Sequence, residues 1–325
     1  MSPHMMLMFS SILITGTMIT LSSSHWLLAW MGLEINTFAI IPFMAQKGHP
    51  RALEATLKYF IIQALAAIML LFSSTLNAWV FGQWDIKHMT HPALLTIIII
   101  ALALKMGLAP VHAWFPEVLQ GLSFKTGLIL STWQKLAPLT LLMQISQEYS
   151  ILYITLGLMS ILAGGWGGLN QTQLRKILAY SSIAHLGWII LIVHYLPPLA
   201  FLTFTIYVII SFTLFFSFHF MFATSINTLS ISWTKAPILI SIMPLTLFSL
   251  AGLPPFTGFI SKWFILNELT KQNLTLVAII GVLSALLSLF FYLRLSYAVA
   301  LTMPANNILT MLPWRFPFSL SPLFL

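Results

Sequence analysis

The sequence predicts an all-α, polytopic transmembrane helix bundle built from two inverted five-helix repeats. Three observations carry that prediction. The chain has 325 residues, 59% of them hydrophobic and 6% charged, where a soluble domain carries about 25% charged residues. Its apolar residues gather into ten stretches near the roughly 20 residues that cross a bilayer. Two of those stretches, the fourth of each block of five, are interrupted by proline and glycine.

The first stretch runs from Met5 to Leu21 and stops at the polar run Ser22 to His25. The second, Trp26 to Met44, is closed by Gln46 to Pro50. The third is Leu53 to Asn77, and the fourth, Ala93 to Leu119 (93–119), is interrupted at Pro110. The fifth, Thr126 to Ile145, and the sixth, Ile151 to Gly164, read as plain spans, followed by Leu174 to Val193 and Leu199 to Ala223. The ninth, Ile238 to Leu269 (238–269), is interrupted at Gly252 to Pro255, and the tenth is Leu274 to Val299. The expected organisation is a first repeat over 1–148, a second over 149–299 and a tail over 300–325. Pro313, Pro317 and Pro322 break that tail, which reads as a last span cut short.

Alternating the loops tests the count. Lys47, Arg51, Lys125, Arg175, Lys176, Lys235, Arg294 and Arg315 fall on one side, and Lys87 and Lys271 on the other, with Asp85 and Glu148. Lys and Arg accumulate on the cytoplasmic or matrix side, so the first side is that one and the N-terminus lies on it. The net charge of +8 is scattered, and no basic cluster suggests nucleic acid. The chain contains no cysteine, which excludes disulfides, thiolate zinc sites and cysteine-bound iron–sulfur clusters. Met1 to His4 is neither a basic signal region nor an Arg-rich transit peptide, so insertion is expected where the chain is translated.

A block of five spans is odd, so two such blocks have opposite orientations. Interrupted spans at matching places in two halves point to an inverted-repeat transporter. Proline removes a backbone hydrogen bond and clashes one turn back, and the freed carbonyls at membrane depth need water or a buried partner.

Glu34, Lys105, Lys135 and Lys262 lie within these apolar runs. An ion in lipid costs from roughly 3 kcal/mol on insertion scales to more than about 10 in simulations. At about 1.5 Å per residue, Glu34 lies roughly 12 Å into its segment, Lys105 roughly 18 Å, Lys135 roughly 14 Å, and Lys262 roughly 10 Å from its far end. All four therefore sit near the midplane, in a lateral row. Burial disfavours the charged amine and a nearby carboxylate favours it, so Glu34 and Lys105 read either as a proton switch or as a buried structural ion pair. His112 and His185 are relay candidates, since histidine titrates near neutrality; His219 lies in the eighth span. Glu54 and Lys58 form an i,i+4 pair at the start of the third span, and Glu117 follows Pro116 near the basic side. Gly164 to Gly168 lacks the third glycine and the preceding strand of a dinucleotide fingerprint.

Several strings carry a resemblance. Ser23–Asn36 (SSHWLLAWMGLEIN), Ala103–His112 (ALKMGLAPVH), Trp133–Pro138 (WQKLAP), Gly164–Lys176 (GGWGGLNQTQLRK) and Leu253–Trp263 (LPPFTGFISKW) resemble the antiporter-like membrane-arm subunits of mitochondrial respiratory complex I. The likeness spans nearly the whole chain. It implies a multi-pass protein of the mitochondrial inner membrane, acting within a proton-translocating NADH:ubiquinone reductase. It implies a proton path over Glu34, Lys105, Lys135 and Lys262, driven by quinone reduction in other subunits. It implies no cofactor in this chain, with flavin, iron–sulfur clusters and quinone in partner subunits. The implied partners are other membrane-arm subunits and inner-membrane lipids, cardiolipin among the candidates. A stand-alone cation/proton antiporter would use the same fold and lysines.

Overall fold

The computed structural model describes residues 3–45, 49–89, 91–145, 150–234 and 237–301. Lys47, Glu148, Lys235, Arg315 and the tail from 302 lie outside the described residues. Three long helices come first: α1 (Pro3–Ser22), α2 (Trp26–Met44) and α3 (Pro50–Phe81). The ring nitrogens of His25 and His49 accept the Leu27 and Arg51 amides at 3.3 Å and open α2 and α3. Then come α4 (Pro92–Met106) and α5 (Trp114–Gly121), the two halves of the fourth span. Pro50 and Pro92 stand at first helical positions, where the missing N–H costs nothing. Next are α6 (Phe124–Ser131), α7 (Trp133–Gln144), α8 (Ser150–Gly168), α9 (Leu174–Val193) and α10 (Pro197–Met221). A short α11 (Ile226–Ile231) leads to α12 (Pro237–Ala251), α13 (Thr257–Lys271) and α14 (Thr275–Leu301). Among the described residues, seven helices are long and apolar enough to cross a membrane.

Two expected spans differ from the structure. The fifth is not continuous: it breaks at Thr132, whose φ of −116° and ψ of −69° leave the helix. Neither proline nor glycine causes this. The Ser131 and Thr132 hydroxyls both donate to the Leu128 carbonyl, at 3.0 and 2.7 Å, the back-bonding that bends helices. The freed Ser131 carbonyl accepts the Tyr207 hydroxyl at 3.3 Å. The sixth span continues past Gly164 to Gly168, because those glycines face neighbours rather than form a loop. A Cβ on Gly164 would lie 2.6 Å from the Ala184 amide nitrogen, and one on Gly168 2.8 Å from the Phe291 ring.

Loop contacts support the alternation of sides. The loop after α1 pairs with the loop after α3: the Trp26 amide donates to Trp84 at 3.1 Å and the Ile86 amide to Ser24 at 3.0 Å. On the opposite side the Leu174 amide donates to Thr224 at 3.1 Å and the Ile226 amide to Thr172 at 3.2 Å. Arg175 donates to the Gln120 and Leu122 carbonyls at 3.0 and 2.6 Å, and Arg294 to Leu169 at 2.9 Å. The ends of spans four, six, eight and ten therefore share the basic side.

Helix α9 is the axis. Its apolar window is 83% buried, against 22% for α1 at the edge. Small residues allow close approach, as between membrane helices generally: a Cβ on Gly157 would lie 2.6 Å from Leu191 of α9, and one on Gly16 3.1 Å from the Gly32 carbonyl.

The two interruptions share one local design. Gly107-Leu-Ala-Pro110 follows α4, and Gly252-Leu-Pro-Pro255 follows α12. Gly107 (φ +76°) and Gly252 (φ +79°) take the left-handed conformation that glycine adopts without a Cβ penalty. The Leu108 amide reaches back to Ala103 at 3.0 Å and Gly107 to Leu104 at 3.1 Å. Likewise the Leu253 amide reaches Phe248 at 3.3 Å and Gly252 reaches Ser249 at 3.1 Å. Both are Schellman ends, which satisfy some terminal carbonyls and leave others free. Each places a helix C-terminus, with its partial negative charge, inside the bundle.

Candidate functional site

The first interruption collects amines. Lys105 is in the last turn of α4 and 7% exposed; Lys135 is the third residue of α7 and 2% exposed. A cation at a helix C-terminus is favoured by the dipole, which explains how α4 carries Lys105 there. Neither ammonium nitrogen has a hydrogen-bond partner among the described residues. Both lysines line one small cavity of about 10 Å³, on the order of one water molecule. Asn36, Tyr59, Gln63, Phe115 and Gln134 are among the polar and aromatic residues that line it. The Gln63 side chain donates to the Lys105 carbonyl at 3.5 Å, and Gln134 to the Asn36 carbonyl at 3.4 Å. The Lys135 ammonium stands over the Phe115 ring, 4.2 Å from its centroid.

Glu34 of α2 accepts the Thr37 hydroxyl at 3.1 Å. It acts electrostatically on Lys105 and on Tyr59, but the two form no ion pair; the ion pairs among the described residues belong to Lys58 and Lys271. The expected switch is thus coupled through space and not through a direct contact.

The second interruption holds its amine differently. Lys262, in the second turn of α13, folds back over Gly252 and donates to the Ala251 carbonyl at 2.8 Å. His185 of α9 lies beside the Leu250 backbone and within electrostatic reach of both Lys262 and Lys135. Its ring lies 5.5 Å from the Tyr207 ring, tilted by 32°; Tyr207 is the residue that also serves the Thr132 break. Along the expected row, Glu34 is within electrostatic reach of Lys105, Lys105 and Lys135 line one cavity, and His185 is within electrostatic reach of Lys135 and Lys262.

His112 and His219 stand outside that row. The His112 ring binds the Pro110 carbonyl at 3.2 Å and faces an open apolar groove with Trp166 and Tyr180. His219 sits in the last turn of α10, near Lys125 and the Phe220 and Phe222 rings. Lys58 bonds Glu54 at 2.9 Å and also Glu117 of α5 at 2.8 Å, so it ties α3 to the second half of the interrupted helix.

Sequence and structure comparisons agree with this geometry. The family model described as NADH:quinone oxidoreductase/Mrp antiporter, transmembrane, matches residues 23–288, and that of the NADH dehydrogenase subunit 2 C-terminus matches 289–325. NADH-ubiquinone oxidoreductase chain 2 of Tetraodon nigroviridis is 61% identical over 97% of this chain and 90% of its own. This chain belongs to the NADH-ubiquinone oxidoreductase chain 2 family. The Salmo salar member is 57% identical over 98% of this chain and 92% of its own. A chain in the structure of respiratory complex I from Thermus thermophilus with bound aureothin superposes with a TM-score of 0.82, at 26% identity over 91% of this chain and 70% of that one. The antiporter-like bundle is thus the fold of this chain-2 family member.

Sequence reasoning missed Gln63, Gln134, Asn36 and Phe115. The first three had a signal, being amides within apolar runs. Phe115 had none, since an aromatic residue beside Trp114 reads as ordinary core.

Proposed function

We propose that this chain is a membrane-arm subunit of the proton-translocating NADH:ubiquinone reductase of the mitochondrial inner membrane, and that it carries a proton along its buried row. Residues 1–148 and 149–299 form the two inverted repeats, each contributing one interrupted helix; the repeated Gly-Leu-x-Pro turn supports this. The observation that carries the reading is that Lys105 and Lys135 line one cavity without hydrogen-bond partners among the described residues, with Glu34 within electrostatic reach of Lys105 and His185 within reach of Lys135 and Lys262. Ionisable side chains inside a membrane bundle that face one another or a water-sized cavity mark ion and proton pathways.

Glu34 biases Lys105 through space. A water in the intervening cavity passes the proton between Lys105 and Lys135. His185 relays it onward, and Lys262, anchored on the Ala251 carbonyl, delivers it toward the side opposite the basic loops. Quinone reduction in other subunits supplies the free energy; flavin, iron–sulfur clusters and quinone belong to those partners. Lipids of the inner membrane, cardiolipin among them, cover the exposed apolar faces.

The test is the number of protons moved per electron by the assembled complex bearing Lys135→Met. A lowered yield at retained quinone reduction is expected, and an unchanged yield overturns the route. Native electrophoresis with NADH dehydrogenase staining checks the assembly: the chain should migrate with the active complex. Migration as a small separate species in membranes holding the intact complex would favour a stand-alone antiporter.

A further inference from the structure

Phe115 joins the two halves of the first site. It lies in the first turn of α5, 1% exposed, and its amide donates to the His112 carbonyl at 3.1 Å. Its Cβ packs where a side chain on Gly107 would be, 3.2 Å from that position, so the turn that ends the Lys105 helix rests against it. Its ring faces the Lys135 ammonium at 4.2 Å. On one edge it meets the Trp114 ring at 5.5 Å, and Trp114 meets Tyr59 at 5.9 Å, so the ring is held rather than free to turn away.

We propose that Phe115 is a positioning residue for Lys135: its ring face holds the ammonium when the lysine is protonated, and its seat against Gly107 couples that hold to the helix end bearing Lys105. The inference rests on the proton route proposed above. A ring face attracts a cation most where water is excluded, and among the described residues Lys135 has no hydrogen-bond partner in competition with it. Lys135 belongs to α7 and Phe115 to α5, so a displacement of the half-helix withdraws the ring and releases the amine toward the cavity and His185. The structure thereby assigns the interrupted helix a second task, beyond freeing carbonyls.

The experiment is a double-mutant cycle in the assembled complex, reading protons per electron beside quinone reduction and native-gel assembly. Phe115→Leu removes the ring, Phe115→Met removes it while keeping a long apolar side chain, and Phe115→Tyr retains it; each is made alone and with Lys135→Met. The expected result is a loss of proton yield in Phe115→Leu or Phe115→Met, retention in Phe115→Tyr, and no further loss when either ring deletion is added to Lys135→Met. The second ring deletion keeps the test open where the first fails to assemble. Wild-type yield in the ring deletions while Lys135→Met lowers it overturns the role of Phe115 alone. Equal losses in all three Phe115 variants, added to that of Lys135→Met, also overturn it, since plain packing would give that pattern. Wild-type yield in Lys135→Met itself overturns the underlying route and this inference with it.

Discussion

The two interrupted helices end in the same turn but treat their lysines in opposite ways. At the first, Lys105 and Lys135 line a cavity of about one water, and neither amine finds a hydrogen-bond partner among the described residues. At the second, Lys262 turns back and donates to the Ala251 carbonyl at 2.8 Å. The backbone around the second is also tighter: a Cβ on Gly258 of α13 would run into the Ser249 carbonyl of α12. At the first interruption a Cβ on Gly107 would meet the Phe115 Cβ at 3.2 Å and the Trp114 ring at 3.4 Å, both side-chain atoms. A common turn thus serves a loosely held charge in one half and an anchored charge in the other. Such an asymmetry suits a path in which the first site responds to a neighbouring carboxylate and the second retains its geometry.

The largest effects should come from the backbone difference. Gly258→Ala places a methyl group against a backbone carbonyl that cannot move aside within a packed helix pair. We expect a cost above about 4 kcal/mol, in the range reserved for named severe mechanisms, and loss of the assembled complex on native gels. Gly107→Ala meets mainly the left-handed conformation, costing about 1–2 kcal/mol, and should leave assembled complex in reduced amount. Equal assembly in the two variants would break the comparison.

The next effects separate the lysines. Lys262→Met strips the Ala251 carbonyl of its donor, which costs about 1–3 kcal/mol for a buried acceptor. Lys135→Met replaces an amine without a hydrogen-bond partner by an apolar chain of similar length, a change that is often neutral or stabilising. The thermal inactivation temperature of NADH:ubiquinone activity should therefore fall for Lys262→Met and hold for Lys135→Met, while both lower proton yield. A fall for Lys135→Met as large as that for Lys262→Met would show that the first amine is anchored after all.

How much of this was legible in the sequence follows from the chemistry of each feature. The interruptions at Pro110 and Pro255 announce themselves, because proline and left-handed glycine act locally. The four charges within apolar runs also announce themselves, because an ion in such a run has few explanations. The break at Thr132 is invisible, since it arises from two hydroxyls bonding the Leu128 carbonyl and from Tyr207, 76 residues away in sequence. The same holds for the lack of an ion pair between Glu34 and Lys105: spacing places both at one depth but says nothing of their separation across helices. His185 could be suspected as a relay, yet its place between Lys135 and Lys262 depends on α9 being the buried axis of the bundle. His112 carries the same side chain and lies next to a break, but it faces the open groove; the residue type alone did not distinguish the two.

The smallest expected effect concerns the rims of the two interruptions. On the first, Lys58 bonds Glu54 and Glu117 with side chains 43%, 64% and 55% exposed. On the second, Lys271 bonds Glu268 at 3.4 Å, and that carboxylate side chain is 11% exposed. Exposed pairs are screened and contribute little, so Lys58→Met should leave assembly and thermal inactivation unchanged. Glu268→Gln removes a carboxylate shielded from water and should lower the inactivation temperature slightly. Proton yield sharpens the contrast. Glu54, Glu117 and Lys58, with Arg51 within electrostatic reach of Glu54, form a titratable group on the basic side, close to α5 and hence to Phe115. If Lys58→Met lowered proton yield without touching stability, that group would be where protons enter the first interruption, and the row would begin at the surface instead of at Glu34. An unchanged yield would leave the charge sensitivity of the first half to the residues around the Lys105 and Lys135 cavity alone.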